Sequence, residues 1–282
     1  MNPNLSNDVM ELVNHTERLK PNTGYHTPKK IVEIVNHSAE DKQKRAHKKT
    51  FTMALLAGGY IGIAGLLALV IGGGLPGLAQ SNPGLQKLVF GAVFPVGLVL
   101  CVIAGAELFT GNTAYFVPSV LSKRMSAKIP LKNWGIVYIG NFIGAILVSL
   151  FFAYLTDILS QSPWLDSVYT IAIKKTSAPF YKVFLKGIAC NWMVALAMWI
   201  TYAAKDITGK IIGLWFPIMA FVAMGFEHCV ANMFFIPTAI FYGANITWTE
   251  FFVNNLIPTT LGNIVGGVFL VGTFYWYIYD KE

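Results

Sequence analysis

The chain has 282 residues, 55% of them hydrophobic, 14% aromatic and only 12% charged, with a net charge of +7. Soluble domains average roughly 25% charged residues, so this composition excludes an ordinary water-facing domain and points to a polytopic helical membrane protein. The basic charge adjoins apolar segments, which places it at the cytoplasmic side of a membrane rather than on nucleic acid.

Residues 1–27 are polar, carry Pro and Asn breakers, and read as partly disordered. No apolar signal-peptide core is visible in the first fifty residues. From Thr27 the stretch "TPKKIVEIV" can start a helix with proline at its first position. Ile31, Ile34 and Val35 then form an apolar stripe, and Lys42, Lys44, Arg45, Lys48 and Lys49 follow. Residues 28–49 read either as a helix along the inner membrane surface or as a solvated tail.

Apolar spans follow at about 50–73, 87–122, 133–156, 178–203, 209–243 and 251–279, each near or beyond the ~20 residues that cross a bilayer. The chain thus divides into a tail, 1–49, and a six-helix domain, 50–280, with two halves at about 50–156 and 178–279. With the N-terminus inside, the inner loops hold Lys123, Arg124, Lys128, Lys132, Lys205 and Lys210, and the outer loops Lys87, Lys174, Lys175 and Lys182. This bias, with the basic run before the first span, puts both termini in the cytoplasm.

Spans two and five are too long for one straight crossing, and each contains a polar, glycine-bearing knot. Gly105, Glu107 and Asn112 in one are matched 120 residues later by Gly225, Glu227 and Asn232 in the other. In the spans that follow, Gly140, Asn141 and Gly144 recur 122 residues later as Gly262, Asn263 and Gly266. Three spans per half make this an inverted repeat, because an odd number of crossings reverses the second copy. Irregular backbone at bilayer depth is tolerated only where protein buries it or a cavity receives it. Broken helices in corresponding positions of inverted halves indicate a midplane substrate site. The breaks are expected near 106–112 and 226–232, with Glu107 and Glu227 accepting hydrogen bonds from the released N–H groups. Asn112 and Asn232 belong to the same knots, and Asn141 and Asn263 hold the broken helices in place. The glycine pairs serve close helix packing.

Four of the five histidines lie in the polar N-terminal region; His228 is in the knot of span five. An ionisable residue at that depth is a functional candidate, the plain alternative being a satisfied core histidine. Thr110, in the other knot, offers a hydroxyl to an anion or to the imidazole, and Asn191 is a further buried polar group. Cys101, Cys190 and Cys229 have no metal-like spacing and read as apolar filling. Neither a metal nor a cofactor is expected.

The segments "AGAELFTGN", "GFEHCVANMFFIP" and "NNLIPTTLGNIVGG", with the "TPKKIVEIV" start, resemble the formate/nitrite transporter family over roughly residues 27–280. The resemblance implies an aquaporin-like six-helix protomer with its own pore, assembled as a pentamer in the plasma or inner membrane. It places the family's pore histidine on His228, its loop threonine on Thr110, its pore asparagine on Asn191 and its vestibule lysine on Lys175. Its apolar constrictions fall on Phe94, Leu98, Leu108, Phe109, Val194 and Phe221. Lys186, where the family is apolar, and the extended N-terminal tail depart from the pattern.

A bare anion faces a desolvation cost of tens of kcal/mol in hydrocarbon in the Born limit, and its neutral acid far less. The expected mechanism therefore has Lys175 and the basic outer vestibule concentrating a small monovalent anion. A proton joins it at His228 and Thr110, and it leaves as the neutral acid or paired with imidazolium. The pore wall is expected to be apolar, with His228 its only titratable group near the midplane. Formate is the first candidate; nitrite, acetate, lactate and hydrosulfide are alternatives. A neutral-solute channel of the aquaporin type would need paired Asn-Pro-Ala-like turns and a pore arginine, and the spans contain neither. An intramembrane enzyme is disfavoured: no catalytic residue set is evident, and Glu227-His228 is not a His-Glu-x-x-His motif.

Overall fold

The computed structural model describes residues 24–280, so most of the segment 1–27, expected to be partly disordered, lies outside the described residues, while at its end His26 N–H donates to the Ala203 carbonyl at 2.8 Å. Helix α1, Pro28–Lys44, begins at Thr27, whose hydroxyl accepts the Lys30 N–H at 3.5 Å. Pro28 fills the first helical position, where a missing N–H costs nothing. Ile31, Val32 and Val35 are buried in one cluster with Ala114, Tyr115, Trp199 and Val271. The apolar stripe is thus spent on the protein's own helices. A solvated tail does not describe it.

Helices α2 (His47–Gly73), α3 (Pro83–Ile103), α4 (Phe109–Leu121), α5 (Lys128–Tyr154) and α6 (Trp164–Thr176) follow. Then come α7 (Phe180–Ala203), α8 (Ile207–Met224), α9 (Cys229–Phe241) and α10 (Trp248–Tyr279). Among the described residues, α2, α3, α5, α7, α8 and α10 are the six long and apolar enough to cross a membrane. The chain is an all-α polytopic membrane protein.

Between α3 and α4 the chain is non-helical at 104–108, and between α8 and α9 at 225–228. Both gaps turn through a glycine with positive φ, Gly105 at 83° and Gly225 at 71°, a region open to glycine because it has no Cβ. The gaps lie a few residues before the expected positions, because Asn112 and Asn232 are already back in helix, inside α4 and α9. α3 also turns at Phe94–Pro95, an interruption that Pro95 accounts for, since it lacks an N–H and clashes with the preceding turn.

The Gly-x-x-x-Gly pairs set the helix packing. A Cβ on Gly144 would run into the Leu55 carbonyl, and one on Gly266 into the Ile188 carbonyl. α5 therefore lies on α2, and α10 on α7, at backbone contact. The connection from α5 to α7, expected only as an outer loop, contains α6. Trp164 Nε1 donates to the Val70 carbonyl at 2.9 Å and Ser167 Oγ to the Gly73 carbonyl at 2.8 Å, fixing α6 to the end of α2.

Candidate pore site

Two asparagines hold the breaks together. Phe109 N–H donates to Asn141 Oδ1 at 2.9 Å, and Cys229 N–H to Asn263 Oδ1 at 2.9 Å. Asn141 Nδ2 donates to the carbonyls of Glu107, at 2.9 Å, and Ala54, at 2.7 Å. Asn263 Nδ2 does the same to Glu227, at 2.9 Å, and Gly187, at 2.8 Å. Each amide thereby joins the two edges of a break to a neighbouring helix and satisfies backbone groups that the break would otherwise orphan.

The carboxylates do not take up the released N–H groups, as the sequence suggested they would. Glu107 N–H goes to the Met53 carbonyl and Glu227 N–H to that of Lys186. A buried carboxylate carries a charge that backbone amides alone would leave unpaired, and each is instead matched by a cation and by side-chain amides. Glu107 accepts from Lys42 at 2.6 Å, from Arg45, and from Asn112 Nδ2 at 2.7 Å. Glu227 accepts from Lys175 at 3.0 Å, Asn232 Nδ2 at 2.7 Å and Asn255 Nδ2 at 3.2 Å. Asn112 and Asn232 also donate to Asn133 and Asn255, which are 122 residues apart. Lys42 and Lys175, 133 residues apart, occupy matching places. The repeat therefore extends back beyond the first spans, with α1 and α6 as counterparts that each send a lysine to a break.

His228 lies at the end of the second break, 3% exposed. Its Nδ1 accepts the Ala231 N–H at 3.1 Å, so the ring caps α9. The neutral imidazole then carries its proton on Nε2, which faces Thr110 Oγ1 at 3.0 Å. Nε2–H then donates to Thr110 Oγ1. A second proton on Nδ1 would set two donors face to face, so protonation requires the Ala231 N–H to give up its bond. The structure brings Asn191 to the same place. Its Nδ2 donates to the carbonyls of Asn263, at 2.5 Å, and Thr110, at 3.2 Å, and to Thr113 Oγ1 at 2.8 Å. Asn191 Oδ1 is buried with no partner.

A cavity of about 370 Å³ leads toward His228. It opens on the face away from α1, since α2 carries the chain across before Lys87 at the start of α3 joins the wall. Phe94 and Phe221 lie in that wall, edge to face with ring centroids 6.2 Å apart. Phe221 stacks on the His228 ring at 5.8 Å. Both phenylalanines thus stand beside the histidine in the wall of one cavity. Leu98, Leu108 and Val194 are buried in the same core cluster. Phe109 is buried there too, but its ring meets Tyr138 edge to face at 4.9 Å rather than the Phe94–Phe221 pair.

Two expectations change here. His228 is not the only titratable group of the wall, because Glu227 and Lys175 also line the cavity. Lys175, expected to concentrate anions, has its charge matched by Glu227. Reading the sequence also missed Lys42, Arg45, Asn133, Asn255 and Phe235. The asparagines carried a usable signal, the same 122-residue spacing as Asn141 and Asn263. Phe235 carried none, although its ring stacks on Phe94 at 6.4 Å.

Comparison with known proteins agrees with this geometry. Residues 29–277 match the family model described as formate/nitrite transporter. The chain is 46% identical over 274 residues to a "Probable formate transporter" of Methanothermobacter thermautotrophicus, covering 92% of this chain and 99% of that protein. A solved "FNT family ion channel" superposes with a TM-score of 0.81 at 30% identity, over 88% of this chain and 98% of the other. A "Pentameric formate channel with formate bound" does so with a TM-score of 0.72 at 38% identity, over 84% and 99%. Broken helices clamped by paired asparagines, a buried His–Thr pair and a match over nearly the whole described chain lead to one conclusion: the chain belongs to the formate/nitrite transporter family.

Proposed function

We propose that the protein is a channel for the small monovalent anions of weak acids, formate first, and that passage is coupled to a proton at His228. The observation that carries this reading is the buried His228 Nε2–Thr110 Oγ1 contact at 3.0 Å, beside the Phe221 ring. An anion arriving there finds the Thr110 hydroxyl as a donor and, beside it, an imidazole whose protonation the anion's negative charge favours. Binding anion and proton together removes the charge that makes crossing the apolar remainder of the route costly. Nitrite, acetate, lactate and hydrosulfide share this chemistry and differ in size. The relation to a pentameric formate channel supports a homopentamer with a pore in each protomer, embedded in the cell membrane with both termini inside. The orphaned Asn191 Oδ1 suits the O–H of a neutral acid, or a water, on its way past Thr110.

The test is uptake into proteoliposomes of each anion at several pH values, with a pH-sensitive dye inside the vesicles. Formate influx that acidifies the lumen less than one proton per anion requires rejects the coupling. Absence of flux for all five anions, beside rapid flux of glycerol or urea, would favour a neutral-solute channel.

A further inference from the structure

We infer that Lys186, with Lys87 and Lys174, is the group that captures the anion at the outer mouth, the role that a paired Lys175 cannot fill; this rests on the reading of the chain as an anion channel. The residues around the cavity include four lysines, Lys87, Lys174, Lys175 and Lys186, against one carboxylate, Glu227. Lys175 Nζ lies 3.0 Å from Glu227 Oε2, with only 16% of its side chain exposed. An approaching anion meets that pair as a dipole. Lys87, Lys174 and Lys186 are exposed, and none has an acid within salt-bridge distance among the described residues. Three like charges around one cavity repel one another, and an anion between them relieves the repulsion. A cleft lined by one sign of charge with low-dielectric walls also focuses its field and raises the local concentration of counter-ions.

Lys186 is the best placed of the three. Its carbonyl accepts the N–H of Glu227, the residue before His228, so its backbone is joined to the break itself. Lys186 is exposed and lines the same cavity as Phe221 and His228. An anion held at Lys186 is then in the same cavity as Phe94, Phe221 and His228. Lys182, one turn earlier on α7, does not line the cavity; its ammonium lies over the Tyr181 ring at 5.9 Å.

The test is the half-saturating formate concentration for uptake into proteoliposomes at about 20 mM ionic strength, where screening is weak. One unit charge at ~4 Å in a water-like dielectric changes local occupancy about fivefold. Lys186→Gln is expected to raise the half-saturating concentration about fivefold, Lys186→Glu about 25-fold, and Lys186→Arg hardly at all, with maximal flux unchanged. The differences should shrink at ~200 mM ionic strength. Oligomer size is measured in parallel. An unchanged half-saturating concentration in Lys186→Glu, with wild-type flux present, overturns the inference. So does an equal rise in Lys182→Glu, which would assign the effect to general surface charge. A Lys186→Gln variant that alters only oligomer stability makes Lys186 a subunit or lipid contact and also overturns it. If the wild type itself carries none of the anions, it is the reading as an anion channel that fails.

Discussion

Asn263→Ala tests how the breaks are held. The substitution removes the acceptor of the Cys229 N–H and the donor to the carbonyls of Glu227 and Gly187, with Asn263 fully buried. Side-chain hydrogen bonds in helical membrane proteins average about 0.6 kcal/mol each, so three give a lower figure of about 2 kcal/mol. The Gly187 carbonyl lies within α7, but the Cys229 N–H and the Glu227 carbonyl sit at the break and lose a clamp partner. Two such groups at up to ~3 kcal/mol each set an upper figure of about 6 kcal/mol. Against a total stability of roughly 5–15 kcal/mol the loss is large enough to measure. The assay is unfolding of the reconstituted protein by titrated sodium dodecyl sulfate, followed by tryptophan fluorescence. Asn141→Ala should cost a similar amount, because its three bonds are the same in kind and nearly the same in length. A change below about 0.5 kcal/mol in either variant would refute the clamp, and strongly unequal costs would refute its duplication.

Removing Lys175 (Lys175→Met) leaves Glu227 without its cation and should cost about 3–5 kcal/mol in the same titration. Lys42→Met should cost clearly less, because Arg45 still reaches Glu107; equal costs would contradict this ranking. Gly144→Ala and Gly266→Ala should each destabilise by at least about 1–3 kcal/mol by forcing the helices apart, whereas Gly135→Ala, which faces open space, should change little. A thermal melt that fails to separate the two groups counts against backbone contact between the helices. Thr110→Val should lower formate flux up to about tenfold through loss of the His228 partner, and Thr110→Ser should retain it; equal flux in the two would remove Thr110 from the route.

Much of the architecture was legible because membrane constraints leave few options. Uncharged runs of the right length had to be helices, and polar knots inside them had to be breaks. The duplicated Gly, Glu and Asn positions marked where the two helices break. What the knots do with their polar groups was not legible. Carboxylates and asparagines can both accept an N–H, and only the spatial arrangement showed that Asn141 and Asn263 take this role while Glu107 and Glu227 face cations. Lys42 and Arg45 were hidden for a related reason. They lie in a basic run that reads as a solvated or membrane-facing surface, and their target is 62 to 65 residues away in sequence. The equivalence of α1 and α6 escaped notice because its spacing, 133 residues, differs from the 120 and 122 of the later spans. A length difference in the connections conceals it. Lys175 could be placed at the vestibule, but its partner could not be read from its position.

The most direct measurement is uptake of labelled formate between about pH 5 and 8 by the wild type and by His228→Asn. Asparagine is a strong helix N-cap, so it can replace the ring's bond to the Ala231 N–H while removing the titrating proton. Oligomer size verifies that the fold is kept. With proton and anion meeting at His228, wild-type uptake increases as the outside pH falls through the imidazole range. The variant either stops conducting or passes the anion with no such dependence. Coincident pH profiles for the two proteins would contradict the account and leave His228 as a helix cap alone.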